Sequence, residues 1–398
     1  MRVGWGCCSG RGLCPRAPGL CPCPAPSPKA LAARLGGGLL AQFPAPLKGA
    51  LCGALFVHLG VHLMGLGVLV PWARLKGRSP WGVLAASWDS RWYIGIAEHG
   101  YGTVREYAFF PLQPVLMRAM PGSAETAGLL LAVGASFAAV WGVFAVGEHL
   151  HGPRVGILLA GLWSAYPVGL VQWMGYTESL FTALAAWCLY AVLTGRWIVA
   201  ASLACLAGLT RPTGIAVAAA VMAGALGSGR RRAFLAGVLA PAGWVAYVGW
   251  VGVRQGRWDG YFAVQRRWRN TWDGGADTLR EMRGLLAYEI RPPLFLVVVT
   301  GVMLAAVVLF VWCAAVERQP LPLLVFSGVL LVIVLGADGV YFPRARFLLP
   351  AFPLLLPIAL AVGRARARGP AAVLVVGGAA LFAAYFGAYM ALVWPSAP

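Results

Sequence analysis

Apolar runs of membrane-spanning length recur along this chain from residue 49 to residue 393. A bilayer core takes about 20 such residues per crossing helix, so the chain is predicted to be an all-α, polytopic transmembrane bundle of about 9–11 membrane helices. Hydrophobic residues make up 60% of the 398 and charged residues only 11%, with a mean hydropathy of +0.75. A soluble domain carries about one-quarter charged residues, so a soluble fold is excluded.

The 32 Lys and Arg outnumber the 13 Asp and Glu, for a formal charge of +19. On a soluble protein that excess would point to nucleic acid. On a membrane protein it reads as short cytoplasmic loops meeting anionic lipid, so membrane lipid is expected as a partner and nucleic acid is not. Five of the nine cysteines (Cys7, Cys8, Cys14, Cys21, Cys23) fall in the first 23 residues, without the paired spacing of a zinc site, and no metal is expected. Residues 1–45, rich in Pro, Gly, Ala and Cys, read as a disordered cytoplasmic arm or an over-long start rather than a signal peptide. The membrane domain is 46–398.

Basic residues before the first span place the N-terminus in the cytoplasm. Spans are expected near 49–71, 126–147, 154–172, 177–194, 233–253, 293–316, 321–337, 347–363 and 370–393. The stretch 197–228 is interrupted by Arg211-Pro212-Thr213-Gly214, where proline removes a donor, and is read as two short helices around that turn. Three extracytoplasmic features result: a large first loop 72–125, a loop 254–292, and a turn 337–346. The loop 254–292 carries eight Arg against five acids, more than the positive-inside bias favours, unless it has another task such as holding a phosphate.

The densest polar segment is Ser87-Trp88-Asp89-Ser90-Arg91-Trp92-Tyr93, running on to Glu98-His99-Gly100-Tyr101. At helical spacing Asp89 shares a face with Tyr93, and Trp88 with Trp92. Such a helix lies in the membrane surface with a carboxylate at its edge; an ordinary aromatic belt with Asp89 paired to Arg91 is the plainer alternative. A second block, Tyr107-Ala108-Phe109-Phe110-Pro111-Leu112-Gln113-Pro114, is a rigid aromatic loop that a simple connector does not need. Glu178 opens an apolar span; it is either a functional carboxylate or a helix-terminal acid stabilised by the macrodipole, with Thr177 as cap. Gly260 to Trp268 reads as an amphipathic surface helix.

These two blocks together resemble the first lumenal loop of the PIG-V family of mannosyltransferases. Three more blocks fit in the family's order: Tyr176-Thr177-Glu178-Ser179-Leu180-Phe181, Thr210-Arg211-Pro212-Thr213-Gly214, and Pro343-Arg344-Ala345-Arg346-Phe347-Leu348-Leu349-Pro350-Ala351-Phe352-Pro353. The resemblance covers residues 88 to 353. It implies a fold of the GT-C class of lipid-linked glycosyltransferases and inverting transfer from a polyprenyl-phosphate sugar to an acceptor hydroxyl on the extracytoplasmic face. No cofactor is implied, and the acceptor is a lipid, a glycan or a protein.

Such chemistry needs a carboxylate near the acceptor and cations near the phosphate. The resemblance makes Asp89 the general base, with Glu98 its competitor in the same loop and Glu178 a second catalytic candidate. Arg211, Arg344 and Arg346 are the expected phosphate clamps, a guanidinium fork matching two phosphate oxygens. Trp88, Trp92 and Tyr93 complete the expected substrate-binding set. A transporter or flippase of a lipid-linked sugar would also suit broken helices and buried charge, but no second copy of the motif blocks marks an inverted repeat. The high content of Ala, Gly, Arg and Trp suggests a GC-rich bacterial genome and thus a bacterial cell membrane.

Overall fold

The computed structural model describes residues 45–365 and 368–396, so the N-terminal arm, but for Ala45, lies outside the described residues. The described chain forms helices and connecting turns, with no named strand; one antiparallel bridge joins Trp272 and Ala337. In chain order the first α-helices are α1 (Ala45–Leu75), α2 (Pro80–Ala85), α3 (Asp89–His99), α4 (Leu112–Ala119), α5 (Ala124–His151) and α6 (Pro153–Ser164). There follow α7 (Glu178–Leu193), α8 (Trp197–Gly208), α9 (Gly214–Ser228), α10 (Arg231–Leu239), α11 (Ala242–Gln255), α12 (Gly260–Arg267) and α13 (Ala276–Arg283). The last are α14 (Leu294–Ala315), α15 (Leu321–Gly336), α16 (Arg344–Phe347), α17 (Leu356–Arg364), α18 (Arg368–Ala372) and α19 (Gly378–Leu392).

Five helical stretches are long and apolar enough to cross a bilayer: Lys48–Leu75, Ala124–His151, Arg231–Gln255, Leu294–Ala315 and Gly369–Leu392. Five shorter apolar helices, among them α7, α8, α9 and α15, accompany them. The protein is therefore an integral membrane protein, and its outer surface is that of one. Phe56, Ile198, Val253 and Val308 are 72%, 82%, 82% and 65% exposed, apolar side chains that only lipid suits in such number.

The helices pack closely because small residues line their contacts. A methyl group added at Gly142 of α5 would come within 2.9 Å of Ala186 in α7, and one at Gly156 of α6 within 2.8 Å of the Phe144 carbonyl in α5. Between membrane helices such approach, rather than a hydrophobic drive, supplies the packing energy. Inside the bundle His58 shares hydrogen bonds with Ser164 at 2.9 Å and Ser136 at 3.0 Å, which Trp173 also joins by donating to Ser136.

The expected turn at Arg211-Pro212-Thr213-Gly214 separates α8 from α9, helices of 12 and 15 residues. Two expected spans, 154–172 and 347–363, need correction, and a third carries a local break. A single span at 154–172 does not form: α6 stops at Ser164, ahead of Pro167, and a short 3-10 turn (Gly169–Trp173) follows. The expected span 233–253 forms within Arg231–Gln255, its helix locally interrupted at Pro241, which has no N–H to continue the ladder. Likewise 347–363 opens as the four-residue α16 and resumes only after Pro350, through a 3-10 turn into α17.

The three loops expected on the extracytoplasmic side meet on one face. Tyr261 and Val264 of α12 pack against Phe110, Tyr247 and Val251, clamping the Phe-Phe-Pro block. The Trp268 ring meets Trp92 and Phe109 edge-on, and its N–H donates to the Arg105 carbonyl at 3.1 Å. Thr271 donates to Asp338 at 2.7 Å, tying the second loop to the turn 337–346.

Candidate functional site

Asp89 is the first residue of α3, and the helix is launched by an unusual residue before it. Trp88 sits at φ 47° and ψ −113°, a left-handed conformation that a bulky side chain rarely adopts. Ser87, whose hydroxyl donates to the Gly82 carbonyl at 3.0 Å, and the Ser90 N–H, which donates to the Ser87 carbonyl at 3.1 Å, hold that kink. Strain of this kind persists where surrounding contacts over-determine it, and it collects at functional sites. Its effect here is to put the Asp89 carboxylate at a positive helix end, facing inward.

There Asp89 meets Arg346: Oδ2 lies 2.7 Å from the Arg346 Nη2. The Arg346 Nε is 3.2 Å from Glu178 Oε1, and Arg211 Nη1 is 2.7 Å from the same oxygen. Four charged side chains from four distant blocks thus form one chain, Asp89 to Arg346 to Glu178 to Arg211. Its two carboxylates and two guanidiniums balance. Burial is graded along it: the Glu178, Arg346 and Arg211 side chains are 2%, 5% and 9% exposed, whereas Asp89 keeps 28%. Only Asp89 offers a carboxylate oxygen to a molecule arriving from outside.

Aromatic rings fix the cations from both sides. Tyr176 and Phe347 lie 4.9 Å and 5.1 Å from the Arg346 guanidinium, and Arg211 sits 5.1 Å from the same Phe347 ring. A desolvated cation over an aromatic face gains about 2 kcal/mol. Both rings belong to the motif blocks, but neither was given a role from the sequence; Phe347 follows Arg346 directly and Tyr176 lies two residues before Glu178. Tyr93 is buried, its hydroxyl 3.5 Å from Thr177 and its ring edge-on to Phe109. It supports the site from within and does not reach its open side.

Other expectations change in three dimensions. Arg344 does not join the chain of charges: it donates to the Thr278 hydroxyl and, at 2.7 Å, to the Ala337 carbonyl, with the Tyr341 ring 5.2 Å away. It fastens the second loop to the third. Arg211 and Arg346, expected to stand free for a phosphate, are neutralised by carboxylates far away in sequence. Glu178 does open α7, but Thr177 makes no side-chain cap. Glu98 is about half exposed and 4.0 Å from His99, apart from the cluster. Arg91 does not pair with Asp89; its Nε donates to the Ala86 carbonyl at 2.9 Å.

At the start of α3 opens a cavity of about 730 Å³, whose walls include Trp88, Arg91, Trp92, Arg78 and Trp394, while Asp89 itself is not among its lining residues. Trp88 and Trp92 both line this cavity, but not as one helical face: Trp88 lies before α3 in a positive-φ conformation, so the i, i+4 spacing does not apply to it. Among the described residues no group of three or more His, Cys, Asp or Glu side chains could hold a metal ion.

No family model matches this chain, and no curated protein matches it. Two solved structures of the oligosaccharyltransferase of Archaeoglobus fulgidus are similar to it. One, tethered to an acceptor peptide containing the NVT sequon, gives a TM-score of 0.45 at 13% identity over 87% of this chain and 56% of that one. The other, a complex with Zn and sulfate, gives 0.39 at 12% over 84% and 53%. The chain thus spans little more than half the length of either. Likeness at this level carries no argument, so function is read from the residues themselves.

Proposed function

We propose that this protein is a membrane glycosyltransferase of the GT-C class that moves a sugar, mannose by its motif resemblance, from a polyprenyl-phosphate donor to an acceptor hydroxyl. What supports the reading most is the convergence of its motif blocks. The Trp-Asp, Tyr-Thr-Glu, Thr-Arg-Pro and Arg-Ala-Arg-Phe segments supply Asp89, Glu178, Arg211 and Arg346, and these four form one ion-paired chain with a single half-open carboxylate.

The acceptor hydroxyl attacks the anomeric carbon from the face opposite the leaving phosphate. A C–O bond to the acceptor forms, the bond from carbon to phosphate oxygen breaks, and polyprenyl phosphate departs with the electron pair. The acceptor proton passes to Asp89, which acts as general base; such a group contributes about 10²–10⁴ in rate. Arg346 holds the Asp89 carboxylate at one oxygen and leaves the other for the acceptor. Glu178 is a positioning residue in this scheme, because its carboxylate is enclosed by Arg211 and Arg346 and meets no substrate. Trp88 and Trp92 offer flat walls to a sugar ring. The bacterial cell membrane belongs to the same proposal, on composition.

Replacing Asp89 by Asn keeps size and hydrogen bonding but removes the base. Membranes carrying Asp89→Asn are expected to contain normal amounts of folded protein and to lose transfer from labelled polyprenyl-phosphate mannose by at least about 10²-fold. Undiminished transfer by that variant would refute the assignment.

A further inference from the structure

The cavity at the start of α3 carries two arginines that no ion pair neutralises. Arg78 and Arg91 form no ion pair among the described residues, and both are exposed. Each spends one N–H on a helix-end carbonyl: Arg78 Nη1 donates to Ala391 at 3.0 Å, and Arg91 Nε to Ala86 at 2.9 Å. Those bonds aim the guanidiniums and leave their other N–H groups free. The one acid lining the cavity, Glu106, turns its Oε2 to the Gly102 and Thr103 N–H groups, which donate to it at 2.6 Å and 2.8 Å, and the two arginines leave the lining positive on balance. The cavity is thus a cationic socket with indole walls.

Its location points to the anion. Arg78 follows the end of the spanning helix α1, and Leu392 to Pro395 close α19, so the socket lies where two spans leave the membrane. An amphiphile held there keeps its chain in lipid and its headgroup in the socket. Guanidinium forks match phosphate oxygens in pairs, and Trp394 joins Trp88 and Trp92 as a third aromatic lining residue.

We infer that Arg78 and Arg91 hold the phosphate of the lipid-linked donor, and keep hold of it as it becomes the leaving group, in place of the buried Arg211 and Arg346. This rests on the glycosyl-transfer reading above. The same pair of arginines could instead hold the phosphate of bulk phospholipid, and the experiment separates the two sources.

The full-length protein, in nanodiscs of phosphatidylcholine, is titrated with polyprenyl phosphate, with tryptophan fluorescence as readout. Arg78→Gln and Arg91→Gln are each expected to weaken binding about tenfold or more, Arg78→Lys and Arg91→Lys to restore part of it, and Asp89→Asn to bind as the parent does. Equal binding by the parent and both Gln variants, with folding checked by circular dichroism, would overturn the inference. So would competition by phosphatidylglycerol added at the same mole fraction as the polyprenyl phosphate, which would make the arginines general lipid anchors. A parallel transfer assay keeps the two readings apart. Transfer that survives both Gln variants removes the phosphate role alone. Tight, arginine-dependent binding with no transfer from any polyprenyl-phosphate sugar removes the glycosyl-transfer reading and leaves a phosphate site.

Discussion

Two arginine–carboxylate constellations in this protein use the same chemistry to different ends. In the surface loop, Asp259 is gripped by Arg257 and, at 2.9 Å, by Arg266, whose side chains are about half exposed. In the bundle, Arg346 and Arg211 grip Glu178 where almost no solvent reaches. Water screens the first set, so its pairs add little. The second set has no such screen, and removing one partner strands a buried charge. Burial, not the number of pairs, is what makes the inner set an organising centre.

The sharpest way to break that contrast is Glu178→Ala. It leaves two buried guanidiniums facing one carboxylate, and a loss of about 3–5 kcal/mol is expected, read as a large drop in thermal stability in detergent. A variant as stable as the parent would show that the inner pairs are no more consequential than surface ones. Next comes Arg346→Lys, because a single ammonium cannot span Asp89 and Glu178 as the planar fork does. Losing one charge-assisted bond of about 1.5–3 kcal/mol predicts transfer lowered about 10–100-fold with the protein still folded. Unchanged transfer would remove Arg346 from the positioning of Asp89.

Thr278→Val tests the intermediate case of Arg344, which is buried but held by neutral partners. A cost of about 1 kcal/mol in stability is expected, with transfer nearly intact; a large fall in transfer would return Arg344 to the functional set. The smallest effect belongs to Asp259→Asn. Arg257 and then Arg266, by hydrogen bonds, hold the Asp259 carboxyl down at about 2. That lies below its unfolded value of about 3.9. Its contribution is therefore complete above about pH 4 and is lost only as pH falls through about 2. Between pH 5 and pH 8 the melting temperatures of parent and variant should run parallel, and a pH-dependent gap in that range would contradict the assignment.

Much of the fold was legible because a bilayer imposes a length and a polarity on each crossing. The apolar runs of α1, α5, α14 and α19 announced themselves, and so did the break at Pro212. The run 233–253 was legible as a span too, and the local break within it at Pro241 was legible in principle, since proline acts locally. The early end of α6 was less so, because an apolar run continues past Ser164 while the backbone turns within the protein interior.

At the site, residue type and motif singled out Asp89, Glu178, Arg211 and Arg346, but not which charge answers which. Asp89 and Arg346 are separated by 256 intervening residues, and no local rule pairs them. Spacing suggested a common helix face for Trp88 and Trp92, which the positive φ of Trp88 removes, and that Arg78 and Arg91 form no ion pair among the described residues shows only in the folded chain. Sequence alone determined a multi-pass helical membrane protein with a few polar blocks, since hydropathy and backbone satisfaction act residue by residue. The tertiary structure decided which cations are spent and which are free, because ion pairing depends on distance and burial, and both are properties of the packed bundle.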